Sequence, residues 1–222
     1  MHSLEQLRRG ELAGIRRLDL AADLDEFPRE IFDLADSLEV LNLSGNRLRA
    51  LPHDLSRLHR LKVLFCSDNP FETLPEVLGD CAQLEMVGFK SNRLREVPAA
   101  ALPEKLRWLI LTDNQIEALP DALGERPRLQ KLMLAGNRLS ELPPSLAALH
   151  QLELLRIAAN RLETLPDWLL QLPRLLPLDG TELRTHLNVA WPRQLGLTPV
   201  AGRVRDLILA RFAARDPDPG AD

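Results

Sequence analysis

LQKLMLAGNRLSELPPSLAALHQ, residues 129 to 151, is a leucine pattern closed by an asparagine turn and a proline. Leucines hold its first, fourth, sixth and eleventh places, Asn137 the ninth, and Leu142-Pro143 the fourteenth and fifteenth. The alternation in LQKLMLA is the period-two signature of a strand with one buried face. Asn137 then turns the chain, and Pro143 opens a helical turn running back. The next copy begins at Leu152, so the period is 23 residues. One such unit cannot bury its leucines alone; a stack of them can.

Copies begin at Ile15, Leu38, Leu61, Leu84, Leu106, Leu129 and Leu152. The ninth place holds Asp23, Asn46, Asn69, Asn92, Asn114, Asn137 and Asn160. A buried amide must find hydrogen bonds or cost stability, so this column predicts an asparagine ladder bonded to the backbone of neighbouring turns. The fifteenth place holds Pro28, Pro52, Pro75, Pro98, Pro120, Pro143 and Pro166. Proline tolerates a helix's first turn and stops a strand, so short helices such as PDALGER and PDWLLQL are expected to follow. The first copy is looser, with Asp23 in place of asparagine and one residue deleted before Phe27-Pro28.

Over residues 15 to 174 the motif LxxLxLxxNxLxxLP resembles that of leucine-rich repeat proteins. The resemblance implies an α/β fold, a right-handed solenoid or horseshoe with a parallel concave sheet, short convex helices and helical caps. The 23-residue Leu-Pro variety is similar to intracellular repeat proteins that scaffold small GTPases and kinases. The phrases LFCSDN, EMVGFKSN, RWLILTDN, KLMLAGN and LLRIAAN resemble the repeat half of bacterial leucine-rich-repeat protein kinases. That likeness implies descent from a module presenting a partner to a kinase domain.

The domain expectation has four parts. Residues 1–14 form an N-terminal helical cap, with Ser3-Leu4-Glu5-Gln6 as a capping box and Leu4, Leu7 and Leu12 laid over the first rung. Residues 15–178 are the repeats, 179–215 a C-terminal helical cap, and 216–222 a disordered tail. Val204, Leu207, Ile208 and Phe212 recur at helical spacing in the second cap.

Composition narrows the function. The 222 residues are 45% hydrophobic but only 4% aromatic, as a ladder of aliphatic rungs requires. A net charge of −4 gives no reason to expect nucleic acid. No transmembrane run or signal peptide is evident, and neither a membrane nor a cofactor is expected. Cys66 and Cys81 hold sixth and twenty-first places, on different walls, which argues against a disulfide and for a cytoplasmic chain.

Catalytic readings are weak. Val204-Arg205-Asp206-Leu207 shares only its centre with the kinase loop H-R-D-L-x-x-x-N, with Val204 for the histidine and Arg211 for the asparagine. Neither cysteine lies outside the repeats, as a catalytic one in some bacterial ubiquitin ligases does. His59 and His150 hold one place four repeats apart, ~19 Å at strand spacing, so they are no metal pair. Arg47, Arg93, Arg138 and Arg161 follow the asparagines, but Glu96, Glu141 and Glu163 cancel much of their field.

The informative surface is the concave face, where third- and fifth-place side chains point outward. Val63, Phe65, Met86, Trp108, Ile110 and Met133 make one apolar patch there across four strands. Clustered apolar groups on a water-facing sheet mark a contact site. Trp108 is its expected hot spot, and Lys62, Lys90, Arg107, Lys131 and Arg156 its basic rim, suited to an acidic-edged partner. Gly88 reads in two ways: as a notch that receives a partner's side chain between Phe65 and Ile110, or as relief of crowding beneath Met86 or Trp108. Either way the site is Val63, Phe65, Met86, Gly88, Trp108, Ile110, Lys131, Met133 and Arg156. The function expected is protein–protein recognition without catalysis, by a monomer or a weak concave-face dimer. The alternatives are the recognition part of a larger enzyme, a kinase or effector, or an enzyme with its site in residues 175–222.

Overall fold

The computed structural model describes residues 2–163 and 165–175. Seven three-residue strands, β1 (Arg17–Asp19), β2 (Val40–Asn42), β3 (Val63–Phe65), β4 (Met86–Gly88), β5 (Trp108–Ile110), β6 (Lys131–Met133) and β7 (Leu154–Arg156), pair in chain order into one parallel sheet. Third, fourth and fifth places align across every pair, as in Leu64↔Val87↔Leu109↔Leu132. The fourth-place side chains are fully buried from Leu18 to Leu155. Strand alternation therefore sends the third and fifth places to the open face of the sheet.

The helical layer differs from the helices expected. Each strand is followed by a 3-10 segment: Arg29–Leu34, Leu55–Arg57, Glu76–Asp80, Ala99–Ala101, Asp121–Glu125, Pro144–Ala148 and Asp167–Gln171. An i→i+3 turn closes within the three to six residues each segment uses, the short lengths in which 3-10 geometry is found. In six of the seven the motif proline is the N-cap and not the first helical residue, with φ near −65° and ψ between 117° and 144°. Its carbonyl accepts the first turn's bond from the residue three on, as in Leu78 N–H to Pro75 O at 3.1 Å and Leu123 N–H to Pro120 O at 3.1 Å. That third residue is the one buried beneath the turn.

The asparagine ladder is present from Asn46 to Asn160. Asn114 Nδ2 donates to Phe89 O at 2.9 Å and to Leu111 O at 3.0 Å, while its Oδ1 accepts from Leu94 N–H at 3.0 Å. The residue before each asparagine takes a left-handed backbone: Gly45, Asp68, Ser91, Asp113, Gly136 and Ala159, with φ from 53° to 72°. Substituting Asn114→Ala leaves the Leu94 amide unpaired and takes one of two asparagine donors from each of the Phe89 and Leu111 carbonyls, which is expected to cost about 1–3 kcal/mol. A urea midpoint equal to that of the parent protein would refute the ladder's structural role.

Asp23 is not part of that ladder. The amides of Ala22 and Leu24 both donate to Asn46 Oδ1, at 3.0 and 3.1 Å, so the deleted residue falls between Leu20 and Leu24. Asp23 is left at the turn itself, φ 53°, facing solvent. A charged carboxylate in a slot lined by carbonyls would have been repelled, and the shortened turn removes it.

At the N-terminal end, α1 (Leu4–Arg8) starts at Ser3 with the reciprocal capping box, Gln6 N–H to Ser3 Oγ at 3.1 Å and Ser3 N–H to Gln6 Oε1 at 3.0 Å. Leu7 and Leu12 are buried in the core and Leu4 packs against it. His2 also covers the edge of β1, with its amide donating to Asp19 O at 2.9 Å and its Nδ1 accepting from Asp19 N–H at 3.2 Å. An exposed strand edge thereby loses two unpaired groups. The expected repeat end at 178, the second cap at 179–215 and the tail at 216–222 lie outside the described residues.

Candidate functional site

Register alone brings the expected site residues together. Val63, Met86, Trp108 and Lys131 align on β3–β6 as one column. Phe65, Gly88, Ile110, Met133 and Arg156 align as the other, running on to β7. Val63, Phe65, Met86, Trp108, Ile110, Lys131 and Met133 are each partly exposed, and Arg156 is exposed. Six apolar side chains thus share one face of four neighbouring strands.

Gly88 is not an open notch. It is buried, and a Cβ placed there would lie 2.5 Å from Phe65 Cδ1 and 3.0 Å from Cε1. The Phe65 ring already fills the space, so the glycine's role is to admit that ring. The crowding it relieves comes from Phe65, and not from Met86 or Trp108. Any side chain at position 88 displaces the ring first.

The basic rim is also different from the sequence expectation. Lys62 Nζ lies 3.0 Å from Glu39, Arg107 lies 3.3 Å from Glu85, and Lys90 lies 3.9 Å from Asp113. The second places form a row of alternating sign, Arg16, Glu39, Lys62, Glu85 and Arg107, in which Glu39 pairs with Lys62 and Glu85 with Arg107. The Lys62 ammonium holds the Glu39 carboxyl below its usual range. Lys131 has a different partner: its ammonium sits 3.8 Å from the centroid of the Trp108 ring.

At β1 the face ends in a neutral pair. Arg17 donates to both oxygens of Asp19, at 2.6 and 2.8 Å, and Asn42 Nδ2 donates to Oδ1 at 3.0 Å. The Arg17 guanidinium brings the Asp19 pKa down from 3.8 to about 2. A depressed carboxyl stabilises the fold above its unfolded pKa and loses that contribution as pH falls through the folded one. Between pH 3.8 and about 2, Asp19→Asn is expected to flatten the fall of stability with acid. Parallel curves for the two proteins in acid-dependent urea melts would contradict this.

Two stretches of the chain match known repeats. Residues 127–183 match the family described as leucine rich repeat, and residues 36–79 match leucine rich repeats in two copies. The solved leucine-rich repeat ectodomain of a plant membrane receptor kinase from Arabidopsis thaliana, in complex with Casparian strip integrity factor 2, is 31% identical with a TM-score of 0.64. It covers 78% of this chain and 22% of its own. The chain is a leucine-rich repeat protein. Human PH domain leucine-rich repeat-containing protein phosphatase 1 is 32% identical over 83 residues, 37% of this chain. The probable inactive serine/threonine-protein kinase roco10 of Dictyostelium discoideum is 33% identical over 100 residues, 42% of this chain. The chain spans only 5% and 4% of the length of these two relatives.

The other chemical candidates in this leucine-rich repeat chain have structural roles. Cys66 and Cys81 are free and buried. Burial pushes the Cys66 thiol well above its ordinary range, and burial with Asp80 nearby pushes Cys81 up to about 12. Neither yields the thiolate a nucleophile needs. Arg47 is tied to Asp25 at 2.8 Å and Asp23 at 3.5 Å, and Arg138 to Glu117 at 3.8 Å, so two of the four stripe arginines pair with neighbours other than those expected. Among the described residues no group of three or more His, Cys, Asp or Glu could hold a metal ion, and no helix is long and apolar enough to cross a membrane. Val204 to Leu207 and Arg211 lie outside the described residues.

Proposed function

We propose that this leucine-rich repeat protein is a binding module that receives a partner protein on the open face of its sheet, the concave side of the solenoid, and does no catalysis itself. Leucine-rich repeat domains generally mediate protein–protein interaction, and the matches place this chain among them. The observation that carries the reading further is the cluster of Val63, Phe65, Met86, Trp108, Ile110 and Met133. Four adjacent rungs offer apolar, partly exposed side chains where a water-facing sheet ordinarily carries polar ones. Trp108 supplies the large, amphipathic anchor that concentrates binding energy. The free, buried thiols support an intracellular setting.

A second reading has support in the relatives. The stretches of the phosphatase and of the roco10 protein that match this chain are 5% and 4% of those much longer chains. The chain would then be the recognition part of a larger enzyme, using the same face. In both readings an affinity pull-down read by mass spectrometry should recover a partner with the parent protein and lose it with Trp108→Ala. A loss of about 2 kcal/mol or more in affinity is expected of a hot-spot tryptophan. A partner held equally by the parent and by Trp108→Ala and Ile110→Ala variants with unchanged melts would move the site off this face.

A further inference from the structure

We propose that the partner reaches this face with an extended acidic segment, whose carboxylate meets Lys131 and whose adjoining apolar side chain meets the Trp108 ring that Lys131 covers. The inference rests on the concave-face reading above. It begins from an asymmetry in charge. Arg17, Lys62, Lys90 and Arg107 each have a carboxylate of this chain within 4 Å, so a partner would have to break a pair to use them. Lys131 is different. Among the described residues its ammonium has an aromatic face and no carboxylate at ion-pair distance. Arg156 stands diagonally beyond it on β7, exposed and likewise without an ion pair among the described residues. Uncompensated positive charge therefore lies at one edge of the apolar cluster, on β6–β7.

That placement couples the two halves of the contact. A cation over an exposed ring is held weakly, whereas a charge-assisted hydrogen bond to a carboxylate is one of the stronger polar contacts. An arriving carboxylate draws the ammonium off the ring, and the uncovered Trp108 face then takes the apolar neighbour. The order is directional: apolar side chain over β5, acidic side chain over β6–β7. A neutral segment has no means of uncovering the ring, and a basic one is repelled. Lys131 thus acts as a positioning residue that selects for acidic partners.

The test pans a displayed library of random twelve-residue peptides on the full chain and on Lys131→Gln, Lys131→Glu and Trp108→Ala, all checked for unchanged thermal melts. The parent protein should enrich peptides with Asp or Glu beside an aliphatic or aromatic residue. Glu→Gln in the best of them should weaken binding about tenfold to the parent and little to Lys131→Gln. Lys131→Glu should turn the enrichment towards Lys and Arg. Peptides that depend on Trp108 but gain nothing from their carboxylates would overturn the acidic-partner inference and leave the concave-face reading standing. Enrichment indifferent to Trp108→Ala, or none above the starting library, would overturn both.

Discussion

Phe89→Ala is expected to destabilise the fold by about 3–5 kcal/mol, the range for removing a fully buried aromatic ring. Phe89 holds a sixth place with no solvent exposure. Its ring meets that of Phe71, an eleventh-place residue of the preceding repeat, at 5.0 Å between centroids and an interplanar angle of 78°. This edge-to-face pair joins two repeats in the middle of the stack, and truncation opens a cavity that rigid flanking rungs cannot close. The Phe89 carbonyl also accepts from Asn92 and Asn114, at 3.1 and 2.9 Å, so collapse of the rung would disturb the ladder as well. Urea denaturation should show the loss, and the Phe71→Ala, Phe89→Ala double variant should lose less than the two single losses added together. A single-variant loss below about 1 kcal/mol would mean that the pair is not a keystone of the core.

Gly79→Val is expected to be comparably damaging, for the opposite reason. A Cβ at Gly79 would stand 1.9 Å from the Ala100 carbonyl oxygen, which belongs to the next repeat's 3-10 segment. Gly124 is placed alike, 2.3 Å from Ser145 O and 2.6 Å from its carbonyl carbon. The obstacle is backbone at both sites, so no rotamer change relieves it. Replacing glycine by a larger residue ordinarily gains about 0.4–1 kcal/mol through the unfolded chain. Here overpacking, about 1–3 kcal/mol and more when the backbone must move, outweighs that gain. The convex layer would part between the third and fourth repeats, broadening the urea transition as neighbouring repeats uncouple. A Gly79→Ala protein as stable as its parent would show that the layer yields, and that the glycine is incidental.

Those two variants mark different sides of what a sequence exposes. The 23-residue period, the fourth-place rungs and the asparagine column follow from side-chain identity at fixed spacing. Each repeat meets the same neighbours, so one correctly read unit predicts the others. Asp23 shows where that reasoning fails: counting places it in the ladder, whereas hydrogen bonds from Ala22 and Leu24 to Asn46 put the deletion earlier and leave it in solvent. A shortened turn has several places to lose its residue, and only the competition for Asn46 Oδ1 chooses among them. The prolines show a milder failure. Their positions marked the turns correctly, but the turns they cap are short 3-10 segments and not α-helices.

The open face divides in the same way. Which residues share it is legible along the chain, because strand alternation and an unbroken repeat leave third and fifth places no other side. What those residues do to one another depends on packing between rungs. Phe65 lies over Gly88, Lys131 covers Trp108, and the Lys62 and Arg107 cations are spent on carboxylates one rung away. The close approach behind Gly79 and Gly124 was equally hidden, since a glycine in a short turn looks the same with or without a carbonyl behind it. The physical reason is one of range. Periodicity is written along the chain, whereas rotamers, ion pairs and van der Waals gaps are settled between rungs about 20 or more residues apart, where side chains compete for the same few ångströms.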